Sequence, residues 1–456
     1  MSDVLLRDLT ERIKEQAVIK KVGSGCFEGN IYLVGGAIRE IALGSSPRDY
    51  DFIIDQEKDL KVFEVLFGAS SFVLGKKPIH THRIIVGTLS LDINSFEGTV
   101  EDDCRRRDFT VNAIAYDLKR DMIVDPLGGL TDLARRTIRC PRSQVLLDDP
   151  LRMLKAVRHY ATLENFSLDP ELIAAVTVLK GHIHESAPER IKSEFDQIIT
   201  SPMPHEGIKM LEETGLLFEF IPDLEALRKM DEEKGFALGT YRHMVEGFRY
   251  LKKYGALYGL PEKDLKSVGY AFLFHDLGKA VTFSYDPEKE AVHFFYHEKY
   301  SCNMAERVME GLRFSAHEIK AVLTLIEHHM RVFLISGSES TERAVRRLVY
   351  KMGELTPLLL VHTMCDMYGS SGGSENESTA RVESRCKDVL HMYFDWKREP
   401  LPVLVSGRDL LSLGFRAGPL VGMILADIRE RQISGEIRDK GEALEYAESF
   451  LSPGTQ

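Results

Sequence analysis

Short apolar runs separated by polar residues fill the first third of the chain, and this pattern predicts strands and helices in alternation. The runs that are apolar and partly β-branched, as strands are, lie at Ile31–Val34, Tyr50–Ile54, Arg83–Val86, Thr88–Ile93 and Ala113–Leu118. Ala37–Leu43 follows the first of them with the spacing of a short helix. An α+β domain with a small β-sheet is therefore expected here.

From Asp149 onward the apolar positions recur every three or four residues, which predicts an almost entirely helical chain. Asp149 and Pro150 have the residue types of an N-cap and a first helical position, so a helix is expected to begin there. A capping box at Ser186–Glu189 predicts a second helix through Ile199, supported by an Arg190–Glu194 pair.

The chain is predicted to fold in four parts. A break at Ser201–Pro204 separates the first helices from those that follow. The expected parts are a head (1–146), a helical neck (147–204), a helical body (205–395) and a helical tail (396–456).

Composition narrows the class of protein. Of 456 residues, 44% are hydrophobic and 28% charged, as in ordinary globular proteins, and no segment resembles a signal peptide or a membrane span. Six scattered cysteines argue against a disulfide framework. We therefore expect a cytoplasmic protein with no membrane partner. The net charge of −11 disfavours nucleic acid, but seven Lys and Arg against three Asp between Leu130 and Tyr160 form a basic stretch suited to phosphates.

Two carboxylates, Asp49 and Asp51, occupy alternate positions at the start of the second predicted strand. Alternate side chains of a strand point to the same face, so both carboxylates converge on one small volume. Clustered carboxylate oxygens suit Mg²⁺, which takes the rest of its shell from water and substrate phosphates. Taken alone, the pair is more typical of an acidic surface turn.

Gly35 and Gly36 lie between the first predicted strand and the helix Ala37–Leu43. Without Cβ atoms they let a phosphate approach the backbone N–H groups at the positive end of a helix. Beside Asp49 and Asp51, the glycine pair indicates a place for a nucleoside triphosphate and its metal ion.

A further polar motif, Arg106–Asn112, combines guanidinium groups with a carboxylate and an amide. Arginine suits phosphate, whereas Asp108 and Asn112 suit sugar hydroxyls. Asp149 and Arg152 then place a carboxylate and a guanidinium about one turn apart at a helix start.

In this order the motifs resemble the bacterial tRNA nucleotidyltransferase and poly(A) polymerase family. The matching segments are Leu33–Arg39, Asp49–Asp51, Arg106–Asn112, Asp149–Arg152 and Glu189–Glu194. The resemblance implies a polymerase-type nucleotidyltransferase head followed by a neck that reads the base and binds RNA. It implies the tRNA 3′ acceptor end as partner and CTP, alternatively ATP, as the nucleotide.

The resemblance also implies roles for single residues. Asp49 and Asp51 are expected to be catalytic and to hold Mg²⁺. The residues expected to bind the nucleotide are Gly35, Gly36, Arg39, Arg106, Arg107, Asp108, Asn112, Asp149, Arg152 and Arg158.

The Asp149–Arg152 pair has a physical basis for selecting cytosine and adenine. A carboxylate accepts from an exocyclic amine while a guanidinium donates to the adjacent ring nitrogen, a pattern that both bases offer. Uracil and guanine present a carbonyl and an N–H instead, which sets like against like and costs hydrogen bonds.

One departure from the family pattern points to a subtype. In CCA-adding and poly(A)-adding members a long flexible stretch separates the strand that resembles Leu89–Phe96 from the Arg-Arg-Asp motif, whereas here only Glu97–Cys104 intervenes. The short stretch resembles the CC-adding subtype, which leaves the last adenosine to a separate A-adding enzyme. Full CCA addition and A addition are the alternatives.

A second motif lies in the expected body. His275 and Asp276 adjoin in an apolar helical context, and His243, His297, His328–His329 and Asp366 surround them in sequence. The order resembles the HD phosphohydrolase superfamily over about residues 240–370. It implies a divalent metal site of unknown identity formed by His243, His275, Asp276, His297, His328 and Asp366. The sequence does not decide between His328 and His329.

These two motifs leave three classes of function. The chain is expected to be a template-independent tRNA nucleotidyltransferase that adds CC. One alternative is a metal-dependent phosphohydrolase whose head only binds RNA. Another is a catalytically silent RNA-binding module, which the paired carboxylates Asp49 and Asp51 disfavour, since RNA binding alone needs only basic residues.

Overall fold

In the computed structural model, residues 3–74, 81–235, 239–337 and 340–451 are described. They form two compact units. The first comprises Met1–Ile198 and Met210–Glu219, and the second comprises Ile199–Lys209 and Phe220–Gln456. The four-part division into head, neck, body and tail stays a prediction.

The first unit contains a mixed seven-stranded sheet, as expected for an α+β head. Its strands run in the order β3-β4-β5-β2-β1-β6-β7, and only β2 and β5 pair in parallel. Their bounds are β1 Ile31–Val34, β2 Asp49–Ile54, β3 Phe72–Leu74, β4 Thr81–Val86, β5 Leu89–Ser95, β6 Ala115–Asp117 and β7 Met122–Val124. The five predicted strands are confirmed. β3 and β7 escaped prediction because each has three residues and lies at a sheet edge.

Helices flank this sheet and then continue alone. The helices up to residue 220 are α1 Asp3–Glu15, α2 Ala17–Gly23, α3 Gly36–Ala42, α4 Leu60–Phe67, α5 Val100–Arg106, α6 Gly129–Ala134, α7 Gln144–Asp148, α8 Arg152–Thr162, α9 Pro170–Leu179, α10 Pro188–Ile199, α11 Pro204–Glu213 and α12 Leu216–Phe220. Two short strands, β8 Thr137–Ile138 and β9 Ser167–Leu168, pair in parallel.

Two helix starts differ from the prediction. Asp149 is the C-cap of α7 and α8 begins at Arg152, because a short helix that the periodicity did not indicate precedes it. Ser186 forms no capping box: its hydroxyl is buried without a hydrogen-bond partner, and α10 begins at Pro188. Prolines at the start of α9 and α10 supply the fixed backbone angle that a first helical turn needs.

The second unit is helical apart from one hairpin. Its remaining helices are α13 Pro222–Lys234, α14 Arg242–Leu257, α15 Glu262–Phe274, α16 Lys279–Thr282, α17 His297–Gly311, α18 Ala316–His328, α19 Arg331–Leu334, α20 Glu342–Met352, α21 Thr356–Ser370, α22 Glu377–Arg398, α23 Gly407–Ser412, α24 Pro419–Ile433 and α25 Lys440–Glu448. The hairpin strands are β10 Phe283–Asp286 and β11 Ala291–Phe294. In the described part of the chain no helix combines the length and the apolarity that crossing a bilayer requires.

Helices α14 and α21 approach unusually closely at two glycines. A Cβ atom at Gly369 would lie 2.3 Å from the carbonyl oxygen of His243, and one at Gly247 would lie 2.6 Å from the carbonyl oxygen of Cys365. Real Cβ atoms do not make such contacts, so any larger residue would push the helices apart. The close packing matters because these two helices carry His243 and Asp366.

Candidate functional site

The two strand carboxylates lie on β2 in the middle of the sheet. Asp51 pairs with Val34 of β1 on one side and with Asp92 of β5 on the other. Asp49 is exposed and Asp51 is half-buried. The alternation of the strand directs both side chains to one face, as the sequence predicted.

Asp51 lies in a strongly perturbed environment. Burial raises the pKa of its carboxyl group to about 6, Arg107 partly offsets this, and the charges of Asp92 and Asp49 add to it. Carboxylates crowded in this way repel one another and favour a bound cation. Hard oxygen donors gathered on one face fit Mg²⁺, so Asp49 and Asp51 are suited to hold it.

Gly35 provides the space in front of this face. Its φ is 78°, in the left-handed region that favours glycine. A Cβ atom at Gly35 would lie 2.7 Å from Asp51 Oδ2 and 3.3 Å from Arg107 Nη1. The residue therefore keeps open the space beside the Asp51 carboxylate and the Arg107 guanidinium.

Asp92 is a site residue that sequence reasoning missed. It is the register partner of Asp51 and carries a third carboxylate to the same face. Arg83 holds it through two bonds of 2.6 Å. The signal was the alternation of Ser90, Asp92 and Asn94 along an otherwise apolar strand.

Arg39, Asn112 and Asp108 form a partly buried chain of hydrogen bonds. Arg39 donates to Asn112 Oδ1, and Asn112 Nδ2 donates to Asp108 Oδ1 at 3.0 Å. Only 8% of Arg39 is exposed, and burial lowers the pKa of its guanidinium. Arg39 thus orients Asn112 and Asp108 in the structure, and its expected contact with phosphate stays a prediction.

Arg106 and Arg107 both bond to the carboxylate of Asp103. Arg107 bonds to Asp103 at 2.9 Å through Nε, and Arg106 meets Asp103 at 3.3 Å. Arg107 is the more buried of the two and points toward Asp51 and Gly35, whereas 61% of the Arg106 side chain is exposed. Of this pair, Arg107 is the one placed at the strand carboxylates.

Asp149 and Arg152 are fixed by different partners rather than by each other. Arg190 Nη2 donates to Asp149 Oδ2 at 3.2 Å. Arg152 donates to the backbone carbonyl oxygens of Val145 and Arg106, each at 3.1 Å. The bond to Arg106 ties the start of α8 to the Arg-Arg-Asp motif.

Arg158 lies two turns along α8 and is held by α10. Its Nε donates to Glu194 Oε2 at 2.7 Å. The predicted Arg190–Glu194 pair within α10 is therefore wrong: Arg190 bonds Asp149 and Glu194 bonds Arg158. Arg190 and Glu194 instead connect α10 to Asp149 and to Arg158 of α8.

A second cluster lies in the helical unit and gathers four histidines. His243 is on α14, His275 ends α15, His297 begins α17 and His329 follows α18. His243 Nε2 lies 3.2 Å from His275 Nε2, and His297 Nε2 lies 3.3 Å from His329 Nε2. The helix ends thus bring together residues that are far apart in sequence.

Backbone carbonyls determine which nitrogen of each ring carries the proton. The Nδ1 atoms of the four histidines lie within hydrogen-bond reach of the carbonyl oxygens of Gly239, Phe272, Phe294 and Ile326, at 3.2, 2.8, 2.9 and 2.7 Å respectively. An Nδ1–H that donates to a carbonyl leaves Nε2 as a bare lone pair. Facing lone pairs need a shared cation, which fits a divalent metal.

Two carboxylates complete this cluster. Asp276 is 1% exposed, and neither of its oxygens has a partner with hydrogen-bond geometry, although Lys279 Nζ lies 2.6 Å away. Potential metal-ligating atoms lie within 4.8 Å of one another in two groups, His243 with His275 and Asp366, and His275 with Asp276 and His329. Burial lowers the pKa of His329 to about 3, which keeps its ring neutral as a metal ligand must be.

The expected ligand His328 is corrected to its neighbour. His329 is in the cluster, whereas His328 is the last residue of α18 and lines a different cavity. Successive helical residues point about 100° apart, and here the ring of His329 points into the cluster while that of His328 points to the other cavity. His362, for which no role was expected, also lies beside the cluster, with its ring centroid 5.0 Å from that of His275.

The cluster of histidines and carboxylates opens into a cavity of about 470 Å³. Its polar wall includes His243, Lys279 and Asp366, and its apolar wall includes Phe294 and Phe333. A phosphate beside Lys279 and an attached base or sugar against the aromatic rings would both find suitable surfaces.

Comparison with known proteins agrees with this arrangement. Residues 31–139 match the "Poly A polymerase head domain", residues 165–227 the "Probable RNA and SrmB- binding site of polymerase A", and residues 240–366 the "HD domain". Among solved structures, "The complex structure of CCA-adding enzyme with CTP" is 18% identical, with a TM-score of 0.67 and coverage of 98% of each chain. That likeness concerns the fold.

Full-length relatives give the same result. An "A-adding tRNA nucleotidyltransferase" of Deinococcus radiodurans is 30% identical over 94% of this chain and 98% of its own. A "CC-adding tRNA nucleotidyltransferase" of Thermus thermophilus is 32% identical over 90% of this chain and 91% of its own. The chain therefore belongs to the bacterial tRNA nucleotidyltransferase family, enzymes of tRNA processing that here carry a poly(A) polymerase head, an RNA-binding region and an HD domain.

Proposed function

We propose that this enzyme adds two cytidines to the tRNA 3′ end from CTP and leaves the terminal adenosine to a separate A-adding enzyme in the same cytoplasm. The observation that supports CC addition is the connection between β5 and α5. β5 ends at Ser95 and α5 begins at Val100, so only Phe96–Thr99 joins them. Thr99 also caps α5 by accepting from Asp102 N, which ties down the end of this connection.

In the proposed reaction, residues on and beside the sheet face that carries Asp49 and Asp51 bind the metal and the nucleotide. Asp49 and Asp51 would hold Mg²⁺, which aligns the RNA 3′-hydroxyl with the α-phosphate and stabilises the pyrophosphate that leaves. Arg107 would meet the phosphates, because it is the guanidinium placed beside Asp51. Asn112 and Asp108, oriented by Arg39, would hold the sugar.

Selection of the base would fall to Asp149 and Arg152. Each is fixed by a separate partner, so their spacing does not depend on a mutual ion pair. A rigid carboxylate and guanidinium offer the acceptor and donor that cytosine needs. With so short a connection before α5, the site would have no flexible segment with which to switch to ATP.

The test is extension of a tRNA that lacks its 3′ CCA, resolved nucleotide by nucleotide. With CTP and ATP together, the product should stop at two added residues. A product with three added residues would identify a full CCA-adding enzyme. Asp51→Asn, which preserves size but removes the charge, should abolish extension.

A second activity is supported by the histidine cluster, and we propose metal-dependent hydrolysis of a phosphoester there. The neutral Nε2 atoms and Asp276 would hold the metal, which supplies an activated water. The cavity beside Lys279 has room for the substrate. Hydrolysis of a 2′,3′-cyclic nucleotide that is lost in Asp276→Ala but retained in Asp51→Ala would support it, and retention in Asp276→Ala would exclude it.

A further inference from the structure

A second cavity in the helical unit is used by neither proposed activity. It has a volume of about 370 Å³ and lies among α18, α19, α20 and α24. Its charged lining consists of Arg331, Arg343, Arg347, Lys351 and Glu430. Four cations against one carboxylate make this the place for an anion, in a chain whose net charge is −11.

Two of these cations are unpaired. Arg343 and Arg347 are partly neutralised by Glu436 and Glu430, the latter at 3.8 Å. In the described part of the chain, Arg331 and Lys351 have neither an ion-pair partner nor a side-chain hydrogen bond. Like charges around one cavity repel each other, so an anion bound among them would relieve that repulsion.

A buried polar atom also points to a ligand. His328 is 5% exposed and lines the cavity, and its Nδ1 has no hydrogen-bond partner. Leaving a buried ring nitrogen unsatisfied costs free energy, which a ligand atom in the cavity could recover.

The apolar part of the lining consists of Ile335, Ala344 and Leu348. Small-molecule sites combine such a wall with a few charged groups in cavities of about 300–1,000 Å³. We propose that this cavity binds a phosphomonoester of mononucleotide size, with the phosphate at Arg331 and Lys351 and the organic part against Leu348. Its concave, partly apolar form favours a small molecule over the backbone of an RNA.

One segment, α19 with its caps Met330 and Ile335, lines both cavities of the helical unit. Met330 and Phe333 line the cavity beside the histidine cluster, whereas Arg331 and Ile335 line the basic one. The position of a photolabel on this segment therefore does not identify the cavity that the probe occupied. Variants that change only one of the two cavities are needed as well.

Photolabelling of the full-length enzyme with 8-azido-AMP, followed by peptide mapping, tests the proposal. Labelling within residues 332–351 should fall at least about tenfold in the Arg331→Ala/Lys351→Ala variant, since each charge-assisted bond contributes on that scale. It should return in Arg331→Lys/Lys351→Arg, which keeps both charges. Arg346 lies on α20, like Lys351, and its side chain pairs with Glu342. The Arg346→Ala variant should therefore be labelled to the same extent as the wild type.

Competing ligands and a variant of the histidine cluster show which ligand and which cavity give rise to the label. AMP should protect against labelling and adenosine should not, and Asp366→Asn should leave the label in place. Equal protection by adenosine, or undiminished labelling of the double alanine variant, would overturn the proposal. Protection by tRNA but not by AMP would replace it with an RNA contact.

Discussion

Gly35 faces Asp51 so closely that a Cβ atom would lie 2.7 Å from the carboxylate oxygen Oδ2. The same atom would lie 3.3 Å from Arg107 Nη1, so the glycine is bounded on two sides by charged groups. We expect Gly35→Ala to lower kcat for cytidine addition about 100-fold, because small displacements of reacting groups have effects of that size. Single-turnover extension measures this loss.

Gly87 is the control for that substitution. It also has positive φ, at 61°, but nothing lies within 4 Å of its Cβ position. Gly87→Ala therefore carries backbone strain without a collision at the site, and it should retain nearly wild-type kcat. Equal losses in both variants would mean that strain, and not the contact with Asp51, determines the effect.

The raised pKa of Asp51 has a consequence for stability without metal. Burial raises the pKa from 3.8 to about 6, so the folded state holds the proton more tightly than the unfolded chain. The free energy of unfolding contributed by this group must then fall as pH rises through that range. Urea unfolding in EDTA should show a smaller decrease between these pH values for Asp51→Asn than for wild type. An identical pH dependence in the two proteins would contradict a raised pKa for Asp51.

Selection of the base should depend on the bond between Arg190 and Asp149. Arg190→Ala frees the Asp149 carboxylate from its 3.2 Å partner, so we expect discrimination between CTP and UTP to fall about tenfold, as loss of one oriented bond would give. The ratio of kcat/KM for the two nucleotides measures it. Asp148→Ala removes the neighbouring exposed carboxylate and should leave the ratio unchanged.

The two adjacent histidines at the end of α18 should behave differently toward metal. His329→Ala removes a ring whose Nε2 lies 3.3 Å from that of His297, so bound divalent metal should fall by at least about tenfold. His328→Ala should retain the metal content of the wild type, as measured by elemental analysis after dialysis. Metal loss in His328→Ala alone would contradict the placement of His329.

The sequence predicted the interior of the sheet better than its margins. Ile31–Val34 is buried throughout, so its composition indicated a strand with correct bounds. Phe72–Leu74 is short and largely exposed, so it carried little pattern. Asp149 has the residue type and the position of an N-cap. The preceding residues Gln144–Asp148 form a helix, however, and Asp149 is the C-cap of that helix. Local composition could not distinguish one helix terminus from the other.

Some residues of the candidate sites could likewise be placed from sequence alone, whereas others could not. Asp49 and Asp51 could be placed on one face from strand alternation alone. Asp92 could not, because its position depends on the parallel register between β2 and β5. Likewise the choice between His328 and His329 depends on where α18 ends and how it is rotated, which only tertiary packing determines.

The measurement that most directly tests CC addition uses a tRNA that already ends in CC, incubated with labelled ATP alone. The short Phe96–Thr99 connection predicts no incorporation, while the same enzyme preparation adds two residues from CTP to a tRNA that lacks its CCA end. Efficient addition of one labelled adenosine to the CC end would contradict the account.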